Sequence, residues 1–282
     1  MKITSLIENC KARDRPDLKA EFGLSLHVEL QDTRVLFDTG SSGAFVQNAR
    51  QMGIDVAAVD LAVLSHHHFD HGGGLAAFLE QNARAAIYLK HPVDGDPWAR
   101  VLGLVSRYIG IDKGLLEGHA DRFVFVDRFT EIAPGVYLLP DIERTYPRPE
   151  GNRYLYLRKP GGWERDTFDH ELILAVEEAD GVVVFTGCSH SGILNMIKTV
   201  ADRFPDRPVK GVIGGFHLLG LPPFGLWGPS KRKIAGMGQA MLAYPSARYC
   251  TGHCTGQRAF GVLKEVMAER LAPIATGTVL DL

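Results

Sequence analysis

Short runs in which apolar and polar positions alternate extend along most of the chain, and they predict strands separated by short helices. Residues 24–30 alternate with the period of a half-buried strand, and residues 35–37 form a second apolar run after a turn. Residues 60–65 are apolar and few, which is typical of a buried strand. The other elements predicted in this part are helices at residues 45–52 and 75–82 and a strand at residues 85–89.

The second half of the chain repeats this rhythm, and in both halves a polar loop follows directly after an apolar strand. The repetition suggests two similar sheets packed against each other. The predicted elements of this half are strands at residues 172–177, 181–186, 209–213 and 247–250 and helices at residues 193–204 and 234–242.

Residues 92–150 lack this regularity and are rich in glycine, proline and charged residues. Within them, two short apolar runs at residues 123–126 and 135–139 predict strands. We interpret the rest of this stretch as an insertion or cap over the functional site.

Composition and charge argue against several classes of function. The chain has 282 residues, of which 45% are hydrophobic and 23% charged, as is ordinary for a globular protein. Its 31 basic and 33 acidic residues give a net charge of −2, so there is no overall electrostatic case for nucleic acid as a partner. No apolar run is long enough to span a membrane, and the first residues lack the apolar core of a signal peptide. We therefore expect a cytoplasmic protein with no membrane partner.

The four cysteines are Cys10, Cys188, Cys250 and Cys254. In a reducing cytosol we expect them to be thiols that serve as metal ligands, nucleophiles or packing groups. Because no second pair accompanies Cys250 and Cys254, a structural zinc ribbon is not expected.

The polar loop after the strand at residues 60–65 carries the most specific chemistry of the chain. Its sequence, SHHHFDHGGG at residues 65–74, offers four candidate metal ligands: His66, His68, Asp70 and His71. Divalent metals such as zinc bind imidazole nitrogen and carboxylate oxygen, and the glycines let the backbone turn close to an ion. On an extended loop, residues 66, 68 and 70 would point the same way while His71 reaches a second metal. His67 is out of phase, and we interpret it as a spacer.

The pattern His66-x-His68-x-Asp70-His71 resembles the signature of the metallo-β-lactamase-fold superfamily. Matching features extend over most of the chain and comprise Phe37-Asp-Thr-Gly40 before the signature and His190, His217 and His253 after it. Residues 21–26, 187–192, 214–218 and 253–256 resemble, more narrowly, the dihydropterin-synthase-like branch. That branch is named for 7,8-dihydropterin-6-methyl-aminobenzene-phosphate synthase.

The resemblance implies an α/β (α+β) fold, in which two mixed β-sheets form a four-layer αββα sandwich within one domain over residues 1–282. It also implies two divalent metal ions at one edge of the sheets, with His190 a ligand of the first and His253 of the second. Asp38 would orient a ligand histidine through a hydrogen bond. The alternative for Asp38 is an Asx-turn residue that caps the loop, and both roles are compatible. We expect zinc, with manganese or iron as alternatives.

The sequence departs from the superfamily pattern at one position. A bridging aspartate usually follows a glycine after a strand, but this chain has Gly187-Cys188 there. Cys188 is a candidate thiolate ligand, and the alternative is a small buried residue. His217 competes for the same role by its spacing from His190 and His253, and its alternative is a histidine that faces the substrate.

A metal site of this kind predicts hydrolytic chemistry. Metal lowers the pKa of bound water from 15.7 towards about 7, so that hydroxide is available at neutral pH to attack a carbonyl carbon or a phosphorus. Asp70 is placed to bind metal and to orient the nucleophile or accept its proton.

Candidate substrate contacts lie in two other segments. Residues 222–233 combine Phe224 and Trp227, on which a planar ring could stack, with Lys231 and Arg232, which could bind a phosphate. An exposed loop followed by a solvated charge run is the alternative interpretation. Further possible anion contacts, with a solvated loop as the alternative, are Arg144, Tyr146 and Arg148.

The leading hypothesis is a metal-dependent hydrolase that acts on a small phosphorylated or ester-type molecule. A second is a synthase that joins a phosphoribosyl donor to an aromatic acid, as the branch name suggests, and that would release pyrophosphate. A third, a di-iron oxidoreductase, is disfavoured because those proteins usually have glutamate at the position of His68 and carry a flavin domain. A fourth is a metal-binding sensor without catalysis. The oligomeric state stays open.

Overall fold

The first sheet has seven strands and is mixed, and the histidine loop (residues 65–74) follows one of its parallel strands. The computed structural model describes residues 1–220, 228–245 and 247–282. In spatial order, with labels following the chain, the strands are β18 (Val279–Asp281), β1 (Lys2–Ile7), β2 (Ser25–Glu29), β3 (Arg34–Phe37), β4 (Leu61–Val63), β5 (Ala86–Leu89) and β8 (Phe123–Phe125). Strands β3, β4, β5 and β8 are parallel, while the other pairings in this sheet are antiparallel.

The second sheet also has seven strands and repeats this mixed arrangement, as the sequence predicts. In spatial order the strands are β17 (Leu271–Pro273), β16 (Arg248–Thr251), β15 (Val209–Gly214), β14 (Gly181–Thr186), β13 (Ile173–Glu178), β10 (Val136–Leu139) and β9 (Thr130–Ala133). Strands β14 to β17 are parallel, and β9, β10, β13 and β14 pair antiparallel.

A third, smaller sheet is antiparallel throughout and lies next to the histidine loop. Its strands in spatial order are β12 (Gly162–Arg165), β11 (Leu155–Lys159), β6 (Asp96–Val101) and β7 (Val105–Tyr108). The segment after β7 is bonded to that loop, since the Phe69 amide donates to the Ile109 carbonyl at 2.8 Å and His68 pairs with Gly110. Residues 92–150 thus supply two of these four strands, while β8, β9 and β10 belong to the large sheets. A covering role for this sheet remains a prediction.

The helices pack on the outer faces of the two large sheets, except for the shortest, which lies within the histidine loop. Their bounds are α1 (Ala44–Gln51), α2 (Phe69–Gly72), α3 (Leu75–Gln81), α4 (Lys113–Gly118), α5 (Ile193–Arg203), α6 (Lys231–Met241) and α7 (Gln257–Met267). Short 3₁₀ turns occupy Val56–Ala58, Ala120–Arg122, Glu150–Tyr154, His253–Thr255 and Ala268–Arg270. Among the described residues, no helix is both long and apolar enough to cross a lipid bilayer.

Three apolar cores separate the layers, and β14 shows how its sequence builds two of them. Because alternate side chains of a strand point to opposite faces, Val183 and Phe185 face the first sheet, whereas Val182 and Val184 face helices α5 to α7. Phe185 meets Phe37 of β3 between the sheets, with ring centroids 6.0 Å apart. A third core joins the first sheet to α1 and α3. The structure therefore confirms the αββα sandwich.

Candidate metal centre

The predicted metal ligands lie at one edge of the sandwich, where parallel strands end. Asp38 follows β3, and the histidine loop follows β4. In the second sheet, Cys188 and His190 follow β14, His217 follows β15 and His253 follows β16. The carboxyl ends of neighbouring parallel strands meet at the same edge, so these loops converge.

The first group of candidate ligands consists of His66, His68 and His190. Their ligand atoms lie within 4.8 Å of one another, and the three side chains are buried. The Nε2 atom of each is buried and has no hydrogen-bond partner in the described part of the chain. Buried polar atoms are normally paired, so three converging unpaired nitrogens are what a metal position requires.

The second group consists of Asp70, His71, Cys188 and His253, again within 4.8 Å. The Nε2 atom of His71 lies 3.2 Å from Cys188 Sγ and 3.2 Å from His253 Nε2. The Oδ2 atom of Asp70 lies 3.2 Å from His253 Nε2 and 3.8 Å from His71 Nε2. Four donor atoms therefore face a common point, which suits a divalent cation.

The expected alternation along the histidine loop is wrong at Asp70. We expected residues 66, 68 and 70 to point the same way, but Asp70 groups with His71 instead. The reason is that the chain turns helical at Phe69, where α2 begins, and the Gly72 amide donates to the His68 carbonyl at 2.9 Å. Only His66 and His68 precede this turn and share a direction.

Four of the histidines are oriented by hydrogen bonds from Nδ1. Asp38 Oδ2 accepts from His71 Nδ1 at 2.6 Å, so Asp38 has the orienting position implied by the resemblance. The same carboxylate accepts from the Ser65 amide at 2.7 Å and the Ser65 hydroxyl at 2.8 Å, and that hydroxyl lies 2.9 Å from His66 Nδ1. These contacts leave Nε2 of both imidazoles as the atom with a lone pair for a metal.

Two asparagines perform the same task for the histidines of the second sheet. Asn152 Oδ1 lies 3.0 Å from His190 Nδ1, and its amide nitrogen donates to the His190 carbonyl at 2.7 Å. Asn9 Oδ1 lies 3.1 Å from His253 Nδ1, and its amide nitrogen donates to the His253 carbonyl at 3.1 Å. Sequence reasoning missed both asparagines, since neither stands in a motif with its histidine.

Buried acidic residues hold the backbone of the site, and these too were missed. Glu171 accepts from the amides of His190 and Ser191, each at 2.7 Å, and Glu8 accepts from the His253 amide. His170 Nδ1 accepts from the His67 amide at 3.1 Å, while its Nε2 lies 3.2 Å from Asp166. The only sequence signal for Glu171 and His170 is their position before the strand β13.

Burial and neighbouring charges set the protonation states of the two groups. Burial lowers the pKa of His66 and His190 well below the ordinary value and that of His68 to about 3, so these imidazoles are neutral, as metal ligands must be. At the second group, burial alone would lower the pKa of His253, but Cys254 and Asp70 raise it to about 9. The pKa of Asp70 is held below its ordinary value by His71 and His253 despite burial. The electrostatic environment of the second group therefore favours a positively charged species, such as a divalent cation.

Cys188 and His217 occupy different places relative to the two groups. Cys188 belongs to the second group and also lies within 4.8 Å of the ligand atoms of His190 and His217. The His217 ring packs against the His190 ring at a centroid distance of 4.2 Å, and neither of its nitrogens has a partner in the described chain. His217 thus approaches the site only from the side of His190.

Several site residues have left-handed backbone conformations. Asp38, Ser189, His217 and His253 have φ values of 60°, 60°, 48° and 47°. Non-glycine residues adopt this region at a cost, and they do so preferentially at functional sites. At Gly187, in contrast, a Cβ would collide with Ser65 Oγ and lie 2.9 Å from His66 Nδ1, so only glycine allows the two sheets this close an approach.

A cavity of about 460 Å³ lies beside the first group. Phe216 and Gly192, each within two positions of a site histidine, form part of its wall, and Gly151 next to its rim lies against His217. The wall is mostly apolar and includes Ile193, Leu218, Ile234 and Met237, with Tyr146, Arg148, Glu150 and Lys233 as its polar members.

The predicted substrate residues are distributed unevenly around this cavity. Tyr146 and Arg148 line it, whereas Arg144 is exposed and paired with Asp169 at 2.8 Å. Lys231 and Arg232 are exposed at the start of α6 and do not line the cavity. Phe224 and Trp227 lie outside the described residues.

Comparison with known proteins agrees with this geometry. The family model of the metallo-beta-lactamase superfamily matches residues 19–204. The chain is 26% identical to 7,8-dihydropterin-6-methyl-4-(beta-D-ribofuranosyl)-aminobenzene-5'-phosphate synthase of Methanocaldococcus jannaschii, over 99% of this chain and 96% of that protein.

Solved structures give the same result. A metal-dependent hydrolase of the beta-lactamase superfamily superposes with a TM-score of 0.82 and 30% identity, covering 100% of this chain and 99% of that one. Zn²⁺-bound PqqB from Methylobacterium extorquens covers 100% of both chains with a TM-score of 0.58 at 12% identity, which shows a shared fold alone.

Proposed function

We propose that this chain, which belongs to the metallo-beta-lactamase superfamily, is a metal-dependent hydrolase with two divalent ions at the edge of its sandwich. The observation that carries the proposal is the set of buried, unpaired Nε2 atoms of His66, His68 and His190, which faces a second cluster of donors around His71. The similar solved structure is described as a metal-dependent hydrolase, which supports the same class of reaction.

The donor set suits two divalent ions of borderline character. His66, His68 and His190 would hold one ion, and Asp70, His71 and His253 the other. Zinc is the expected metal because imidazole and carboxylate ligands with an open position are typical of catalytic zinc, and manganese or iron are the alternatives. Such ions supply Lewis acidity, which makes water a nucleophile at neutral pH and stabilises negative charge on a substrate oxygen.

Asp70 is the proposed catalytic residue of the chain itself. Its carboxylate is held ionised by His71 and His253, and it is slightly exposed, at 6%, whereas His71 is fully buried. An ionised carboxylate at the solvent side of the cluster can accept the proton of an attacking water and orient its oxygen. Removal of this group should therefore lower turnover more than it lowers substrate binding.

The cavity beside His190 indicates what the substrate looks like. Its apolar wall suits an organic body of the size of a small molecule, and Arg148 and Lys233 supply positive charge. Lys233 pairs with Glu150, but Arg148 has no hydrogen-bond or salt-bridge partner among the described residues. We propose a small anionic substrate, such as a phosphate ester, whose acidic group binds Arg148.

Arg148→Ala tests this substrate assignment. Loss of a charge-assisted hydrogen bond should raise KM for an anionic substrate by about 10-fold with little change in kcat. Arg144→Ala is the matched control, because Arg144 is exposed, lies four residues away and does not line the cavity. Equal effects of the two variants would contradict a specific role for Arg148.

Metal content and activity of His68→Ala test the proposed function as a whole. The variant should lose one ion per chain by elemental analysis and lose hydrolysis in a screen of phosphomonoesters, phosphodiesters, lactones and thioesters. His119→Ala is the control, since His119 is exposed and belongs to neither group. Full metal content and full activity in His68→Ala would refute the proposal.

The full-length similarity to a dihydropterin-related synthase supports a second candidate function, a phosphoribosyl-type transfer. The two reactions differ in their products, because the synthase needs two organic substrates and releases pyrophosphate. A protein with two bound ions that is inactive in the four hydrolytic assays but releases pyrophosphate with both substrates present would favour the synthase.

A further inference from the structure

We propose that the thiolate of Cys188 bridges the two metal positions, an inference that rests on the metal centre proposed above. It assigns to this side chain a position between the ions rather than at one of them. The centre would then be a thiolate-bridged pair whose metal preference is set by sulfur.

Cys188 belongs to the second group and also lies close to His190, one of the three histidines of the first group. Its Sγ lies within 4.8 Å of the ligand atoms of Asp70, His71 and His253, and also within that distance of those of His190 and His217. The side chain is 3% exposed, and its sulfur is 3.2 Å from His71 Nε2. A donor of the second group that also lies near His190 of the first is placed to bind two ions at once.

The buried carboxylates of the described chain are engaged elsewhere, so they do not compete for this position. Asp38 is saturated by Ser65 and His71, and Asp166 pairs with His170. Glu8 and Glu171 accept backbone amides of the loops that carry His253 and His190. Asp70 faces the second cluster. The Cys188 sulfur is thus the donor left between the groups, and it becomes anionic when metal displaces its proton.

His217 is a weaker candidate for the bridge. It joins the cluster of Cys188 and His190 but not that of Asp70, His71 and His253. Neutral imidazole also offers one lone pair, on a single nitrogen, whereas a thiolate has several lone pairs on one atom and can bind two metals.

The loop around Cys188 is built to fix its position. Ser189 has a left-handed backbone, and its hydroxyl donates to the Gly215 carbonyl at 2.6 Å, which ties the end of β14 to the end of β15. Gly187 has no Cβ, so the turn can approach Ser65 and His66 across the sheet interface. Cys188 therefore reaches the first sheet's ligands from a rigid turn.

A thiolate bridge has a chemical consequence for metal selection. Coordination breaks the S–H bond, forms sulfur–metal bonds and releases one proton to solvent. Thiolate ligands favour zinc and other thiophilic ions, while magnesium and manganese prefer oxygen donors. We therefore expect the protein to retain zinc or cobalt and to bind magnesium poorly.

Cobalt(II) titration of the metal-free protein tests the bridge without any assay of activity. A sulfur-to-cobalt charge-transfer band in the near ultraviolet should grow over both equivalents of cobalt. It should disappear in Cys188→Ser and persist in Cys254→Ser, the matched control for the neighbouring buried thiol.

Two variants with a single metal position distinguish a bridge from a terminal ligand. His66→Ala removes a ligand of the first position and His71→Ala a ligand of the second. A bridging Cys188 should give the sulfur band with one equivalent of cobalt in both variants. A band in only one variant, or a band that saturates at one equivalent in the unmodified chain, would overturn the bridge.

The same titration separates this inference from the proposed function. Two bound cobalt ions with hydrolytic activity but no sulfur band would refute the bridge and leave the hydrolase intact. Suppose instead that both single-position variants show the sulfur band while the unmodified protein is inactive in every hydrolytic assay. This result would support the bridge and count against the hydrolase.

Discussion

At the scale of single residues, the direction of the candidate ligands depends on side chains outside the histidine motif. His66, His71, His190 and His253 each use Nδ1 to contact a different polar group, which leaves Nε2 to face the site. Outer partners of this kind fix the tautomer and raise the basicity of the ligand nitrogen. Mutations at these partners should therefore change metal affinity without removing a ligand.

Asp38→Asn is the sharpest test of such a partner. Asparagine tolerates the left-handed φ of 60° at this position, so the backbone should persist, but it removes the charge that His71 and Ser65 share. We expect metal affinity to fall by about 10-fold to 100-fold, measured by competition with a chelating dye.

Asp55→Asn is the control for that change. Asp55 is exposed and caps a 3₁₀ turn, where asparagine serves equally well, so affinity should match that of the unmodified chain. Unaltered affinity in Asp38→Asn as well would contradict the orienting role of Asp38.

Residue types and spacing predict the ligands better than they predict the residues that support them. The motif brings His66, His68, Asp70 and His71 together because they are close in sequence. The helical turn at Phe69, which the motif does not reveal, places Asp70 with His71 rather than with His66 and His68. Asn9 lies 244 residues from His253 and Asn152 lies 38 from His190. No local sequence pattern connects such pairs, because the residues come together only when the chain is folded.

At the scale of elements, the turn after β14 is a point of close approach between the two sheets. A Cβ at Gly187 would collide with Ser65 Oγ and crowd His66 Nδ1, both from the loop after β4. Gly187→Ala should therefore push the histidine loop away from the second sheet, weaken metal binding and lower the free energy of unfolding by about 1–3 kcal/mol. Urea unfolding and metal analysis would measure both effects.

Gly261→Ala is the opposite case and a matched comparison. Gly261 lies exposed within α7, and a Cβ there meets no atom within 4 Å. Because alanine favours the helix and restricts the unfolded chain, stability should rise by about 0.5–1 kcal/mol with no loss of metal. Destabilisation by both substitutions would show that the close approach at Gly187 is not the cause.

Elements with a clear apolar period are predicted well, and those without one are missed. The structure confirms the strands predicted at residues 24–30, 172–177 and 181–186, whose side chains face defined cores. In the third sheet, every residue of β7 is exposed, so no alternation between buried and solvated positions marks it. Helix α7 was missed although its buried residues Ala259, Val262 and Leu263 follow a helical spacing.

At the scale of the whole molecule, metal and fold should stabilise each other. Each ion position takes ligands from both sheets, so the ions should bind the folded chain far better than the unfolded one. An ion present at 100 times its Kd stabilises the folded state by about 2.7 kcal/mol. A chelator should therefore lower Tm in a thermal scan, and zinc added back should restore it.

His68→Ala provides the comparison for that experiment, since loss of one position should reduce the shift caused by the chelator. A Tm that does not change on chelation, in a protein shown to contain metal beforehand, would contradict the coupling.

The overall architecture is predictable for the two large sheets and less so for the rest. Repetition of strand and polar loop in both halves of the chain indicates two packed sheets, and the structure confirms them. The small sheet takes two strands from residues 92–150 and two from beyond, so its existence depends on pairing between distant segments. Such pairing leaves no trace in a local window of sequence.

The contacts of His71 with Cys188 and His253 join residues 117 and 182 positions apart. Ions held there would act as cross-links that close two very long loops, as a disulfide does in a secreted protein. Closing loops of this length is slow, because the chain must pay its entropy before the contact forms. The ions would therefore bind late in folding. The rate of metal binding would then determine when one half of the chain finally docks on the other.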